Sequence, residues 1–103
     1  MSLIQTTAKN NRQHLPSILR KAAIHLRGRD NIQFLTEEPG VFTTFELAAL
    51  VEQLADRVAS GDDTVGLRLW RIFAPTSTWD DAGGDSLLGE AAFQIIDSLF
   101  RPA

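Results

Sequence analysis

The chain contains no cysteine. Disulfides, zinc–thiolate sites, iron–sulfur clusters and cysteine nucleophiles are therefore excluded. No apolar run approaches the roughly 18 residues of a membrane span, and the residues after Met1 lack the continuous apolar core of a secretory signal. Internal repeats and low-complexity tracts are absent too. Only two histidines occur, His14 and His25. Without metal-ligand spacing or cysteine companions, both read as surface or edge histidines. These absences fit a cytoplasmic location, and they give no reason to expect a metal or a cofactor.

What is present is the make-up of an ordinary globular protein: 103 residues, 44% apolar and 22% charged, enough for one domain with its own core. The net charge of −3 conceals an asymmetry. Residues 1–30 hold Lys9, Arg12, Arg20, Lys21, Arg27 and Arg29 against Asp30 alone, while the rest of the chain sets four arginines against twelve carboxylates. Such a split offers a basic face to an acidic partner or an acidic body to a basic one. Equally, the two halves can lie against each other and cancel.

Apolar periodicity gives a helical reading. Residues 1–12 are polar and aperiodic, and are expected as a flexible arm before a single helical domain over 13–103. A helix is expected over Pro16–Arg27, with proline in its first turn and Leu15, Ile18, Leu19, Ala22 and Leu26 on one face. Gly28 stops it. Residues 29–42 form a connection in which 31–35 reads as a short strand or a helical turn. A second helix is expected over 44–59, with Thr43 and Glu46 forming a capping box and Phe42 and Leu47 a hydrophobic staple. Its stripe is Leu47, Leu50, Val51, Leu54 and Val58. The segment 64–73 fits a helix, but Val65, Leu67 and Leu69 also alternate as a strand does. A last helix over 87–100 carries Leu88, Ala92, Ile95 and Leu99. The expected fold is all-α with about four helices, the alternative being α+β with 31–35 paired to 65–70.

Chemistry-bearing residues gather before that last helix, in Trp79-Asp80-Asp81-Ala82-Gly83-Gly84-Asp85-Ser86-Leu87. Gly84-Asp85-Ser86-Leu87 resembles the signature of the Gly-Asp-Ser-Leu esterases and lipases, which implies Ser86 as a nucleophile. No histidine follows it, whereas that family sets an aspartate and a histidine near its C-terminus. Gly83-Gly84-Asp85-Ser86-Leu87 also resembles the attachment site of acyl and peptidyl carrier proteins, which implies a phosphopantetheine arm on Ser86. Those proteins carry further helices beyond the attachment helix. Asp80, Asp81, Asp85 and Glu90 supply oxygens of the kind hard cations take, but in the wrong register for a helix–loop–helix calcium site. A plainer account of the stretch is a sharp turn at the glycines and a helix cap at Asp85 or Ser86.

The function expected is that of a non-catalytic, acidic protein-interaction module, such as a small regulator or an inhibitor-like protein that neutralises a basic partner. Asp80, Asp81 and Asp85 would supply the charge and Trp79 an anchor. Two alternatives stand beside it: a carrier-like protein modified on Ser86, and a small nucleic-acid-binding protein using the basic first helix. A homodimer is compatible with each.

Overall fold

The computed structural model describes residues 3–102, with side chains from Arg12 onward. Five α-helices follow one another among the described residues: α1 (Leu3–Arg27), α2 (Thr44–Ala59), α3 (Gly66–Phe73), α4 (Thr78–Asp81) and α5 (Ser86–Phe100). A 3-10 turn over Asp63–Val65 leads into α3. The fold is all-α, as expected, and among the described residues no helix is long and apolar enough to cross a membrane.

The most extensive packing is between α1 and α2. Leu15, Leu19, Ala22, Ala23 and Leu26 on one side, and Leu47, Ala48, Val51, Leu54, Ala55 and Val58 on the other, are all buried. Burying each of the larger aliphatic side chains contributes about 1.5–3 kcal/mol. The two helices run antiparallel, as their ion pairs show: Arg12 joins Asp63, Arg20 joins Asp56 and Arg27 joins Glu52. The basic face of α1 therefore lies along acidic residues of the following segment, and much of the charge asymmetry cancels internally. On the other side of the core, α5 lies against α3 and α1, burying Ala92 and Ile96 beside Leu69, Ile72 and Phe73.

Helix α2 begins and ends where the sequence places it. Thr43 Oγ1 accepts the N–H of Glu46 at 3.3 Å, and Glu46 Oε1 accepts the N–H of Phe42 at 3.0 Å. The reciprocal half of the capping box thus reaches one residue further back than the usual pattern. The staple does not form: Leu47 is fully buried, but Phe42 is 65% exposed. Phe42 is held through its backbone instead, its carbonyl accepting the N–H of Phe34.

Two other expectations need correction, the start of α1 and the character of the acidic loop, while the helical reading of 64–73 holds and the α+β alternative falls away. Helix α1 does not start at Pro16 but contains it, so residues 3–12 of the expected arm follow a helical course. The proline leaves the Arg12 carbonyl without its intrahelical partner, while the Arg12–Asp63 pair gives the preceding turn a tertiary anchor that periodicity does not reveal. Residues 64–73 are helical, because Val65 and Leu69 are buried whereas Leu67 is 46% exposed, and a strand would have set all three on one face. Residues 31–35 do not pair with 65–70. Their contact is a single antiparallel bridge from Gln33 to Thr43, outside any strand. The acidic loop, finally, contains the short helix α4, whose turn carries Trp79 inward.

Candidate functional site

The stretch from Pro75 to Glu90 is built around the Trp79 indole. The ring is 1% exposed and stacks on Phe73 with centroids 5.1 Å apart. Its Nε1–H donates to the Asp85 carbonyl at 2.9 Å. A Cβ at Gly84 would fall 2.2 Å from Trp79 Cε2, and one at Gly89 would fall 2.4 Å from Nε1. Both glycines are therefore the seat of the indole. Gly83, at φ +84°, makes the turn between them and α4. Trp79 is consequently a core side chain and not the exposed anchor expected from the sequence, because its polar edge and both flat faces are already occupied.

The carboxylates divide between local and outward tasks. Asp85 caps α5, its side chain accepting the Leu88 N–H at 2.9 Å. Asp80 accepts the N–H of Thr76 at 2.7 Å, which steadies a residue at φ 58°. Asp81 and Glu90 are exposed. The chain has no lysine or arginine between Arg71 and Arg101. Among the described residues, no cation from elsewhere comes within ion-pair distance of Asp80, Asp81, Asp85 or Glu90. Six ion pairs elsewhere consume Arg12, Arg20, Arg27, Arg57, Arg68 and Arg101. Negative charge is thus left uncompensated at the α4–α5 end. No group of three histidine or carboxylate side chains converges as a metal site would require, among the described residues.

Beside this end runs a groove of about 1250 Å³ between the α1–α2 connection and α3. Leu67, Trp70 and Ala74 give it an apolar wall, and Asp81 stands at its rim. Trp70 is half-buried, its Nε1–H bonded to Asp97 Oδ1 at 2.9 Å. Asp97 also pairs with Arg101. These bonds, that to Arg101 foremost, lower its carboxyl from 3.8 to about 2.

Two residues with positioning roles escaped the sequence reading. His25 is half-buried, with its ring 5.8 Å from Trp79, and its Nε2 accepts the backbone N–H of Asp85 at 3.0 Å. Thr44 is fully buried, and its hydroxyl donates to the Ala82 carbonyl at 3.0 Å, tying the start of α2 to the acidic stretch. A polar residue in the first turn of a helix carries no sequence signal for such a bond.

Ser86 is exposed at the first position of α5, and its hydroxyl takes no hydrogen bond among the described residues. His25 reaches this region, but its lone pair is occupied by the neighbouring Asp85 amide. Of the basic residues in the second half of α1 and just beyond it, which a nucleic-acid-binding role would use, Arg20 and Arg27 are in ion pairs, while Lys21 and Arg29 are exposed. Comparison of the chain with protein-family models, curated proteins and solved structures gives no match.

Proposed function

We propose that the chain is a non-catalytic interaction module that binds a basic protein through its α4–α5 end. The observation behind this reading is the ion-pair pattern: six pairs neutralise charge elsewhere, while Asp80, Asp81, Asp85 and Glu90 have no cationic partner among the described residues. A negative surface of this kind steers a basic partner during encounter. The adjoining groove, with Leu67 and Trp70 in its wall, gives that partner apolar surface to bury once it has docked.

The test begins with a purified basic protein encoded beside the chain's gene. Changing Asp80, Asp81 and Asp85 together to asparagine removes charge but keeps the side-chain oxygens that hold Thr76 and cap α5. Association should slow by about tenfold or more at low salt, and its salt dependence should flatten. An unchanged association rate and salt slope would remove the basis for this reading.

A second reading rests on Ser86, exposed at the start of a helix within Gly-Asp-Ser-Leu. A carrier-like protein would gain one phosphopantetheine on this hydroxyl when incubated with a phosphopantetheinyl transferase and coenzyme A. Intact mass decides it, and a mass that does not change removes the reading.

A further inference from the structure

Helix α3 has two faces. Leu69, Ile72 and Phe73 are buried in the core. Leu67, Trp70, Arg71 and Ala74 recur at steps of three and four residues and line the groove. The apolar members, Leu67, Trp70 and Ala74, cover two turns of helix, about 10 Å along its axis. Leu35 and Pro39 extend the apolar lining onto the facing wall. Leu67 is 46% exposed and Leu35 94%.

These dimensions select a polypeptide segment over a small molecule. At about 1250 Å³ the groove exceeds an ordinary small-molecule pocket, which holds about 300–1,000 Å³ and encloses its ligand. Leucines this exposed line an open trough, which would leave such a molecule largely in water. The walls also select the segment's conformation. One wall is a helix, and the other bends at Glu37 and Glu38 and turns at Pro39 and Gly40. Neither is a sheet edge, so no main-chain ladder can hold an occupant. Side-chain burial must hold it, as when a helix lays residues i, i+3, i+4 and i+7 into a groove.

Charge fixes the occupant's polar flank. The Arg68 charge is met by Glu38 at 2.7 Å across the groove. Glu37 on the facing wall and Asp81 at the rim have no ion-pair partner among the described residues. Asp80 adds a carboxylate at the same end. Arg71, the unpaired cation of the lining among the described residues, stands on the α3 wall. Cations of an occupant therefore belong along the opposite wall and the α4 end.

We infer that the groove is a docking site for an amphipathic helix with a lysine- or arginine-bearing flank, carried by the partner protein. This rests on the reading of the α4–α5 end as a surface for a basic protein, and it adds the segment by which that protein is held. Leu67, Trp70 and Leu35 take the apolar face of the helix, while Glu37 and Asp81 take its basic flank.

The probe is a synthetic helix of about 14 residues, about four turns, with leucines on one face and lysines beside them. The chain has two tryptophans, so two indole N–H signals report by NMR, and Trp70→Phe assigns them. The peptide should shift the Trp70 signal with a dissociation constant of about 100 µM, and leave that of the buried Trp79 in place. Leu35→Ser and Leu67→Ser, both at exposed positions, should each weaken binding about tenfold with the thermal midpoint unchanged. A peptide of the same composition with its leucines scattered, and one with glutamate for lysine, should each bind about tenfold or more weakly.

With the basic protein, Leu67→Ser should speed dissociation about tenfold and leave association alone, whereas the triple asparagine variant slows association. If only the first effect is missing, the groove falls and the acidic-end reading stands. If only the second is missing, the acidic-end reading falls and the groove stands on the peptide result. An unmoved Trp70 signal would overturn the inference, as would equal affinity for the scattered or the glutamate peptide. So would a dimer of the chain that Leu67→Ser dissolves, since a second copy would then occupy the groove.

Discussion

Gly89→Ala sets two effects of opposite sign against each other. In a helix interior, alanine is favoured over glycine by about 1 kcal/mol, so at an open position of α5 this change would stabilise the protein. At residue 89, however, the new methyl would lie 2.4 Å from Trp79 Nε1 and 2.5 Å from Cδ1. The indole has little room to retreat, because it stacks on Phe73 and its Nε1–H is bonded to the Asp85 carbonyl. Forcing a methyl into a packed site costs about 1–3 kcal/mol, and displacing the ring adds about 1 kcal/mol for the lost hydrogen bond. Steric cost prevails, and a net loss of about 1–3 kcal/mol is expected, which lowers the thermal midpoint by about 4–8 °C per kcal/mol. Calorimetry or urea denaturation measures it. In a Trp79→Leu background the obstruction is gone, and the same substitution should regain the helix-propensity benefit. A Gly89→Ala variant more stable than the parent would refute the account of the glycine as a seat for the indole.

Thr43→Ala should cost about 1 kcal/mol by urea denaturation, because it removes the acceptor of the Glu46 N–H. An unchanged midpoint would mean the cap adds nothing to stability. His25→Ala should lose about 1 kcal/mol with the acceptor of the Asp85 amide, and His25→Gln should recover part of it; equal losses would show that the ring matters only through packing on Trp79. Asp97 titrates near 2 in the fold and at 3.8 in its ordinary state, mainly through Arg101 and then Trp70. A lowered folded value means its stabilisation is fully present above about pH 4 and is lost as pH falls toward about 2. Asp97→Asn should therefore flatten the dependence of the urea midpoint on pH across that window. Part of the slope should persist, because Asp62 is lowered to about 2 by its bonds with Thr64 and Arg57.

The legible parts of this fold were those governed by local rules. The Thr43 cap, the start and end of α2, and the Asp85 cap depend on side chains within a few residues of the groups they satisfy, so sequence spacing reveals them. The parts that escaped depend on partners far along the chain. Helix α1 runs past Pro16 to a turn anchored on Asp63, fifty-one residues away. His25 reaches an amide sixty residues on, and Thr44 a carbonyl thirty-eight residues on. Trp79 could not be assigned to core or surface by its type, since tryptophan serves both. A usable signal was nevertheless present in the small residues around it: Gly84 and Gly89 stand five and ten residues beyond Trp79, on a turn and a helix that close over the ring.

That arrangement explains why one short stretch imitates two functional motifs. A sharp turn, a small residue, a capping oxygen and a helix start are demanded by any chain that changes direction into a helix over a large side chain. Gly83 makes the turn, Gly84 and Gly89 admit the indole, and Asp85 caps α5. Each has a structural duty sufficient to account for its presence, so none of them strengthens either resemblance. Ser86 and Leu87 are different: both are exposed at the start of α5, and neither side chain has such a duty. Chemistry specific to this motif would have to act through Ser86, with Leu87, 76% exposed, as the apolar surface beside it. Replacing Ser86 by alanine therefore separates the readings cleanly. It should leave stability within about 0.5 kcal/mol, as at an ordinary surface position, and leave association with a basic partner intact, while abolishing any covalent modification. Loss of basic-partner binding in the alanine variant would instead place the serine within the docking surface and extend it from the acidic turn onto α5.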